Sequence, residues 1–266
     1  MYGDLVMCSV AARAFKEQYP DSHLTFAACS SYKNILPLFK EHPYIDALHV
    51  WDSYEDWPRQ SDIDFLTREK FDIVFHPFAQ HTRPDWYNYY HYAEETCMML
   101  GLAPPKDLQC YLNPTKYYSV LDKKLICLSL FPSRGANQVK AYPMDKCIEL
   151  VAELNKKGYR CVQLGGRFET PIQGAEIYEE STFEDGAHLL LSCMLHISTD
   201  TSWAWISSAY SCPMIGLYTR DYPDISLERV ISHNPVNSYA TYINRNSMKD
   251  VDVDEILYVA KERYGI

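Results

Sequence analysis

The sequence lacks an excess of basic residues. It has 266 residues, with 25 lysine and arginine side chains against 35 aspartate and glutamate side chains, so its formal net charge at pH 7 is -10. Proteins that bind nucleic acid need a basic surface to neutralise the phosphate backbone. The charge balance therefore argues against nucleic acid as the main partner.

Paired cysteines are also lacking. Nine cysteines are scattered along the chain without a Cys-x-x-Cys motif, and most of them stand in apolar runs. Zinc sites need closely spaced ligands, and disulfide frameworks generally use an even number of cysteines. We therefore predict free, buried thiols in a reducing compartment and no metal site. The nine are Cys8, Cys29, Cys97, Cys110, Cys127, Cys147, Cys161, Cys193 and Cys212.

The chain has no apolar run near the ~20 residues that a membrane-spanning helix requires, and its first residues do not resemble a signal peptide. We therefore expect a cytoplasmic protein with at most peripheral membrane contact. The G-x-G-x-x-G and G-x-x-x-x-G-K-[ST] fingerprints are absent as well. Their absence argues against dinucleotide oxidoreductases and P-loop enzymes, and we expect no bound cofactor.

What the sequence does contain is an alternation of strand-like and helix-like segments, in a globular composition that is 47% hydrophobic and 23% charged. This alternation predicts an α/β chain with parallel sheets. A stretch without periodic pattern, residues 101–124, contains Pro104-Pro105 and separates two such series. We therefore predict two Rossmann-like domains, residues 1–118 and 119–266, whose sheets face a central cleft.

The first series begins with a helix instead of a strand. The apolar spacing of Leu5, Cys8, Ala12 and Phe15 predicts this helix, whereas a domain of this type normally begins with a strand. We expect the first strand either to lie upstream of Met1 or to be absent. The other predicted strands are 24–29, 47–51, 72–75, 125–131, 159–164, 194–198 and 214–218. The other predicted helices are 32–40, one that begins at Pro143, one around 183–190, 201–210 and 252–263.

The best candidate for a binding site follows the strand at residues 194–198. Asp200, Thr201 and Ser202 stand where this strand ends and a helix begins, and helix N-termini at the carboxyl edge of a parallel sheet bind anions. The simpler alternative is that Asp200 or Thr201 only caps the helix. Polar residues after neighbouring strands favour the binding site, because they converge on the same edge.

These converging residues are Ser133, Arg134, Lys140 and Glu169. A lysine with hydroxyls beside a helix N-terminus suits a diphosphate. A carboxylate one strand away, such as Glu169, suits ribose hydroxyls. Because no cofactor fingerprint is present, the pattern indicates a free nucleotide-diphosphate compound as the ligand.

The first domain offers candidates on the loop after the strand at 72–75. His76, His81 and Arg83 are candidate acceptor-side residues, because loops at this edge commonly carry function. Their spacing does not match a metal site. Residues 85–92 contain five aromatic side chains that suit a sugar ring. The alternative is an ordinary packing stripe at helical spacing, formed by Tyr89, Tyr92, Thr96 and Met99.

Five short segments then occur in order along nearly the whole chain. They are Gly3-Asp4 with residues 11–20, His42-Pro43-Tyr44-Ile45-Asp46, Lys140-Ala141-Tyr142-Pro143, Leu164-Gly165-Gly166 with Glu169, and Asp200-Thr201-Ser202 with Ala209 and Pro213. Together they resemble the GD…PALRALKRAYP, NPYID, K-x-W-P, LGG…E and DTG…H motifs of the ADP-heptose:lipopolysaccharide heptosyltransferases, which are family 9 glycosyltransferases with the GT-B fold.

The resemblance implies inverting, metal-independent transfer of a heptose-like sugar from a nucleotide diphosphate to a saccharide or glycolipid acceptor of the lipopolysaccharide type. By position, it implies that Asp4 is the general base, that Lys140 anchors the diphosphate and that Glu169 contacts the nucleoside. The Asp200 to Ser202 turn would hold the donor sugar and phosphate. The alternative for Asp4 is that it only favours the dipole of the first helix.

The sequence departs from the family at two positions in this turn and the helix after it. Ser202 stands where the family has glycine, and Trp205 stands where it has histidine, which implies a donor other than ADP-heptose. Two other functions remain open. One is a nucleotide-sugar 2-epimerase, which would need further acids and histidines around the donor. The other is a non-catalytic relative that only binds nucleotide.

Overall fold

The structure is a computed structural model that describes residues 2–51, 69, 71–72, 90–113, 121–132, 138–165, 169–179, 182–219 and 234–266. The chain divides into two compact units, Met1–Asn113 and Pro114–Ile266. Most of the strand predicted at 72–75 lies outside the described residues.

Unit 1 is built around its first helix. Its described elements are α1 (Tyr2–Gln18), β1 (Thr25–Cys29), a 3-10 helix (Ser30–Phe39), β2 (Ala47–Trp51) and α2 (Tyr92–Met99). Helix α1 contacts α2, and apolar or small residues cover almost its whole circumference from Gly3 to Ala14. A helix that is apolar on all sides is buried on all sides. Strands β1 and β2 pair in parallel, as the alternation predicts.

Residues 101–113 belong firmly to unit 1. The Tyr111 amide donates to the Ser9 hydroxyl at 2.9 Å, and the Asn113 side chain donates to the Lys40 carbonyl at 3.1 Å. Leu112 is buried between these contacts. The stretch without pattern that sequence places at 101–124 is therefore packed structure up to Asn113.

Unit 2 contains a six-stranded, fully parallel sheet, and three of the described connections between consecutive strands contain an α-helix. Its described elements are β3 (Asp122–Ser129), a 3-10 turn (Gln138–Lys140), α3 (Met144–Lys156), β4 (Arg160–Gly165), β5 (Glu176–Glu179), α4 (Phe183–Ser192), β6 (Cys193–Thr199), α5 (Ser202–Ala209), β7 (Met214–Thr219), β8 (Ala240–Arg245), a 3-10 turn (Met248–Asp250) and α6 (Val253–Tyr264).

The strand order of unit 2 is β5-β4-β3-β6-β7-β8. The chain starts in the middle at β3, adds β4 and β5 on one side, and then crosses to β6 on the other side of β3. This is the Rossmann order, in which the neighbouring pair β3 and β6 forms the topological switch point. The core packs α3 and α6 against the central strands, with Leu150, Ile197 and Ile256 fully buried.

The sequence analysis did not predict two of the described strands, β5 and β8, which are the outermost strands of the sheet. Strand β5 has four residues and exposes Ile177. Among the described strands, β8 pairs with β7 alone. Edge strands need no continuous apolar run, since they are not covered like central parallel strands. The predicted helix at 32–40 is of the 3-10 type and contains Pro37, which has no N–H to donate.

The prediction that the nine thiols are free and buried is confirmed. Among the described residues, no helix combines the length and the apolar character that a membrane crossing needs.

Candidate functional site

The candidate site lies in unit 2, at the carboxyl ends of β3 and β6. These two strands pair directly, and Ser129, the last residue of β3, stands opposite Ser198. In open α/β sheets the crevice outside the carboxyl ends at the switch point is where ligands bind. The chain delivers Asp200, Thr201 and Ser202 to this point as it leaves β6 for α5.

A lysine and a carboxylate meet at this edge. The Lys140 ammonium lies 2.6 Å from Oδ2 of Asp200, and their side chains are 15% and 23% exposed. Lys140 ends the 3-10 turn of Gln138–Lys140. The pair is therefore sheltered, so water screens it less than it screens a surface ion pair.

Tyr142 holds the Lys140 turn in place. Its amide donates to the Leu130 carbonyl at 3.0 Å, and its hydroxyl donates to the Val251 carbonyl at 3.2 Å. The ring is almost fully buried, and this burial raises the pKa of the phenol above its ordinary value. The tyrosine in the Lys-Ala-Tyr-Pro segment thus anchors the loop, and it fixes the position of the lysine two residues earlier.

The N-terminus of α5 is not capped by the residue at its N-cap. Thr201 occupies that position without accepting a side-chain hydrogen bond from the helix. Its hydroxyl instead lies 3.1 Å from the Ser198 hydroxyl. Thr201 therefore occupies the N-cap position without capping the helix through its side chain, and the Asp200 carboxylate pairs with Lys140. Backbone N–H groups at an uncapped N-terminus are donors for an anion, and Ser202 is the first residue of this helix.

A buried histidine ties the same elements together. His196 in β6 is fully buried, with Nδ1 2.6 Å from the Ser207 hydroxyl of α5 and Nε2 3.0 Å from the Ser129 hydroxyl of β3. Burial lowers the pKa of His196 to about 3, so the ring is neutral at pH 7. A neutral imidazole bonded at both nitrogens joins β3, β6 and α5 rigidly.

Glu169 also lies at the carboxyl ends of the strands, beside β4, which is the neighbour of β3 on the side away from β6. An added Cβ at Gly165, the last residue of β4, would lie 2.3 Å from Oε2 of Glu169. The carboxylate therefore occupies the space that a side chain at position 165 would fill, so this position of Glu169 requires a glycine there. Gln163 supports this turn, because its amide donates to the Thr170 carbonyl at 3.2 Å and its oxygen accepts from the Ile172 amide at 2.9 Å.

The structure thus brings Lys140 and Asp200 into contact and places Glu169, Thr201 and Ser202 along the same edge. Ser133 and Arg134 lie outside the described residues, as do His76, His81 and Arg83. Asp4 belongs to unit 1, in the first turn of α1, where it is partly buried. Trp205 lies in α5 and is only 5% exposed, so its ring is enclosed by protein.

Sequence reasoning missed the supporting residues Ser129, Gln163 and His196. Ser129 and His196 stand inside apolar strand runs, and nothing in a single sequence separates a bonded core histidine from a ligand. The available signal was their position at or near strand ends that share an edge. Among the described residues, no group of three or more histidine, cysteine, aspartate and glutamate side chains is placed to hold a metal.

No protein-family model and no curated protein matches the sequence. Solved structures do match. The E. coli ADP-heptose LPS heptosyltransferase II has a TM-score of 0.70 at 14% identity, with 97% of this chain and 94% of that chain covered. The family 9 glycosyl transferase from Veillonella parvula has a TM-score of 0.71 at 15% identity, with 98% and 93% covered.

The E. coli heptosyltransferase WaaC with ADP has a TM-score of 0.66 at 13% identity, with 99% of this chain and 97% of that chain covered. The chain has the fold of these glycosyltransferases. The prediction of an α/β chain of the GT-B class is confirmed, and the likeness extends over nearly the whole length of both partners.

In the part of the chain that the structure describes, the edge offers a fixed cation, a fixed carboxylate, a helix N-terminus without a capping bond from its N-cap side chain, and a second carboxylate two strands from the first. The ammonium and the backbone N–H groups suit a phosphate. The Glu169 carboxylate accepts hydrogen bonds from hydroxyl groups. The arrangement can therefore hold a compound that carries both a phosphate group and a polyol.

Proposed function

We propose that the protein is an inverting glycosyltransferase that moves a sugar from a nucleotide diphosphate to a saccharide or glycolipid acceptor, without a metal ion. The observation that carries the proposal is the Lys140–Asp200 pair at the switch point of a chain with this fold. It supports the proposal because the lysine of the Lys-Ala-Tyr-Pro segment lies beside the Asp-Thr-Ser turn, 60 positions away in the chain.

The donor binds along the edge of unit 2. Its diphosphate faces the Lys140 ammonium and the N-terminus of α5, and its ribose faces the Glu169 carboxylate. When the bond between the anomeric carbon and the diphosphate oxygen breaks, negative charge grows on the diphosphate. A fixed cation and fixed N–H groups stabilise that charge, which is commonly the largest single contribution to such a reaction. They fill the role that a metal ion has in other phosphate chemistry.

The acceptor hydroxyl attacks the anomeric carbon from the opposite face, and Asp4 takes its proton. The new glycosidic bond forms as the nucleoside diphosphate leaves with the electron pair, so the configuration inverts. General-base help of this kind contributes about 10²–10⁴-fold to the rate. The first turn of a helix suits a carboxylate, because the helix dipole stabilises its charged form.

Structures with this fold indicate which ligands to test first. One is described with ADP, and another is described as an ADP-heptose LPS heptosyltransferase. We therefore propose adenosine diphosphate as the first nucleotide to test and a lipopolysaccharide-type acceptor. Because Trp205 stands where the family has histidine, we propose that the transferred sugar is heptose-like but that the preferred donor differs from ADP-heptose. We propose the cytoplasm as its location, because the nine thiols are all free.

Calorimetric titration tests the donor site. ADP, UDP, GDP and CMP are titrated into the parent protein, Lys140→Ala and Lys261→Ala, and we expect one nucleotide to bind the parent. Lys140→Ala should weaken it. Lys261 is a matched control, because it lies in the last turn of α6. This turn contacts the amino end of β7 through Tyr264, whereas the site lies at the carboxyl ends of the strands. Unchanged binding by Lys140→Ala would contradict the proposed site.

Release of nucleoside diphosphate from nucleotide sugars then tests catalysis. A parent protein that binds nucleotide but releases none from any donor, with or without saccharide acceptors, would contradict sugar transfer and leave the 2-epimerase and the non-catalytic relative as the remaining functions.

A further inference from the structure

A buried side-chain hydroxyl at the candidate edge is unpaired. The hydroxyl of Thr219, the last residue of β7, is buried and has no hydrogen-bond partner within the described chain, and the residue as a whole is only 6% exposed. An unpaired buried hydroxyl destabilises the folded protein, and native structures contain few of them. Such a group is a candidate for a bond that forms only when a ligand is present.

The buried side-chain groups that the structure describes around Lys140 and Asp200 already have partners. Ser129 bonds His196, Ser198 bonds Thr201, and Lys140 bonds Asp200. Thr219 therefore differs from its surroundings. Asn244 also has an unpaired buried oxygen, but it stands one residue before Arg245, the partner of Thr219. Because side chains alternate along a strand, Asn244 faces the other side of the sheet.

The strand register places the end of β7, where Thr219 lies, beside the end of β6, which leads into Asp200. Strand β7 is the direct neighbour of β6, and Leu217 stands opposite Thr199, the residue before Asp200. Thr219 is two residues further along β7, beyond Leu217, the last residue of β7 that pairs with β6. The 3-10 turn that carries Lys140 also lies against β7.

The order of groups along the edge matches the order of groups in a nucleotide sugar. From β4 to β7 the strands run β4, β3, β6, β7, with Glu169 beyond β4, the Lys140–Asp200 pair at β6 and Thr219 at β7. If ribose lies at Glu169 and the diphosphate lies at the α5 N-terminus, the next group along the molecule, the sugar, lies at β7. Neighbouring strands are about 4.8 Å apart. The ends of β4 and β6, with β3 between them, are therefore about 10 Å apart, and the ends of β6 and β7 are about 5 Å apart.

We propose that the Thr219 hydroxyl bonds a hydroxyl group of the transferred sugar, and that Thr219 thereby helps to select the donor. This inference rests on the proposed function, because it presumes that a nucleotide sugar occupies the edge. Thr219 is a specificity residue in this scheme, and the diphosphate contacts stay with Lys140 and the N-terminus of α5.

The test compares each nucleoside diphosphate with its sugar conjugate. ADP, ADP-glucose and ADP-heptose, UDP and UDP-glucose, and GDP and GDP-mannose are titrated into the parent, Thr219→Val and Thr219→Ser. Valine keeps the shape of threonine and removes the hydroxyl, whereas serine keeps the hydroxyl. Thr241→Val is the control, because it removes a hydroxyl near the amino end of β8, the neighbour of β7, whereas Thr219 lies at the carboxyl end of β7.

We expect Thr219→Val to bind the diphosphate as the parent does and to bind the preferred sugar conjugate about threefold to tenfold more weakly, the effect of one neutral hydrogen bond. Thr219→Ser and Thr241→Val should bind both ligands as the parent does. The melting temperature of Thr219→Val should not fall, because no hydrogen bond of the free protein is lost.

Equal weakening of diphosphate and conjugate by Thr219→Val would overturn the inference, since the hydroxyl would then serve the diphosphate. Unchanged affinity for both, or a lower melting temperature of Thr219→Val, would also overturn it and leave the proposed function standing. If the parent protein binds none of the nucleotides, the proposed function and the inference fail together.

Discussion

The ammonium of Lys140 and the carboxylate of Asp200 lie 2.6 Å apart at the switch point of the unit 2 sheet. The lysine arrives on a turn pinned by Tyr142, and the carboxylate arrives at the end of β6. The pair holds the cation in place before any phosphate is present. It also means that an incoming diphosphate meets a lysine whose charge is already partly balanced.

This pairing predicts opposite effects for the two residues. Lys140→Ala should weaken nucleoside diphosphate binding by about 1.5–3 kcal/mol, the range for a hydrogen bond to a charged group, and it leaves Asp200 to repel the phosphates. Asp200→Asn keeps a hydrogen-bond acceptor for the lysine and removes the negative charge, so it should tighten diphosphate binding. Calorimetry at low and moderate salt measures both effects.

The double variant Lys140→Ala/Asp200→Asn provides the control for this cycle. It should bind the diphosphate better than Lys140→Ala, because the unopposed carboxylate is gone. If Asp200→Asn weakens the binding as much as Lys140→Ala does, the carboxylate contacts the ligand and is not mainly a partner of the lysine.

Gly165→Ala should displace Glu169 without unfolding the protein. The added Cβ would lie 2.3 Å from Oε2 of Glu169, and the flexible carboxylate can move away. We expect nucleoside diphosphate affinity to fall toward that of Glu169→Ala, while inorganic pyrophosphate, which has no ribose, binds each variant like the parent. An unchanged affinity of Gly165→Ala for the nucleotide would show that Glu169 has no ribose contact.

His196 should make the stability of unit 2 depend on pH. Its pKa in the folded protein, about 3, is far below the ordinary value of 6.5, so below pH 6.5 the unfolded chain binds a proton that the folded chain does not. The stabilisation is complete above pH 6.5 and is lost as the pH falls toward 3, by about 1.4 kcal/mol per pH unit. Melting temperatures from pH 7.5 to pH 4.5 report this loss.

His196→Asn isolates this effect from the titration of carboxylates. The variant should be less stable than the parent at pH 7.5, because the bonds to Ser129 and Ser207 are altered, but its melting temperature should depend less on pH. His188→Gln changes an exposed histidine of α4 and should keep the pH dependence of the parent. An equally steep dependence in His196→Asn would contradict the assignment.

Asp4→Asn separates the proton transfer from nucleotide binding. The change keeps the size of the side chain and removes its basicity. We expect turnover to fall by about 10²-fold or more, with nucleotide affinity almost unchanged. Asp21→Asn, an exposed change in the same unit, should retain full turnover. A loss of nucleotide affinity in Asp4→Asn would mean that the role of Asp4 is wrongly assigned.

Limited proteolysis tests the division of the chain. Residues up to Asn113 are held to unit 1 by Ser9 and Lys40, and β3 begins at Asp122. We therefore expect the first cut between these points and two stable fragments, as mass spectrometry would show. A first cut within α3 or β4 would contradict this boundary.

The local pattern of the sequence was enough to predict most elements. Apolar periodicity predicted α1, α3 and α6, and short apolar runs predicted the central strands β3, β4, β6 and β7, because buried parallel strands leave a continuous signal. It did not reveal β5 or β8, whose place at the sheet edges frees them from that pattern. Motif order, together with strand ends, was enough to select Lys140, Glu169 and Asp200.

What only the tertiary structure decided is how these residues are used. The strand order, which no local pattern encodes, puts β3 beside β6 and so makes their ends a switch point. Lys140 pairs with Asp200 although 60 positions separate them in the chain. His196 joins β3, β6 and α5 as a neutral imidazole, because Ser129 and Ser207 bond its two ring nitrogens in the core. The sequence by itself determines which residues can bind a phosphate. Long-range packing determines which of them are already bonded and which, like Thr219, are left for a ligand.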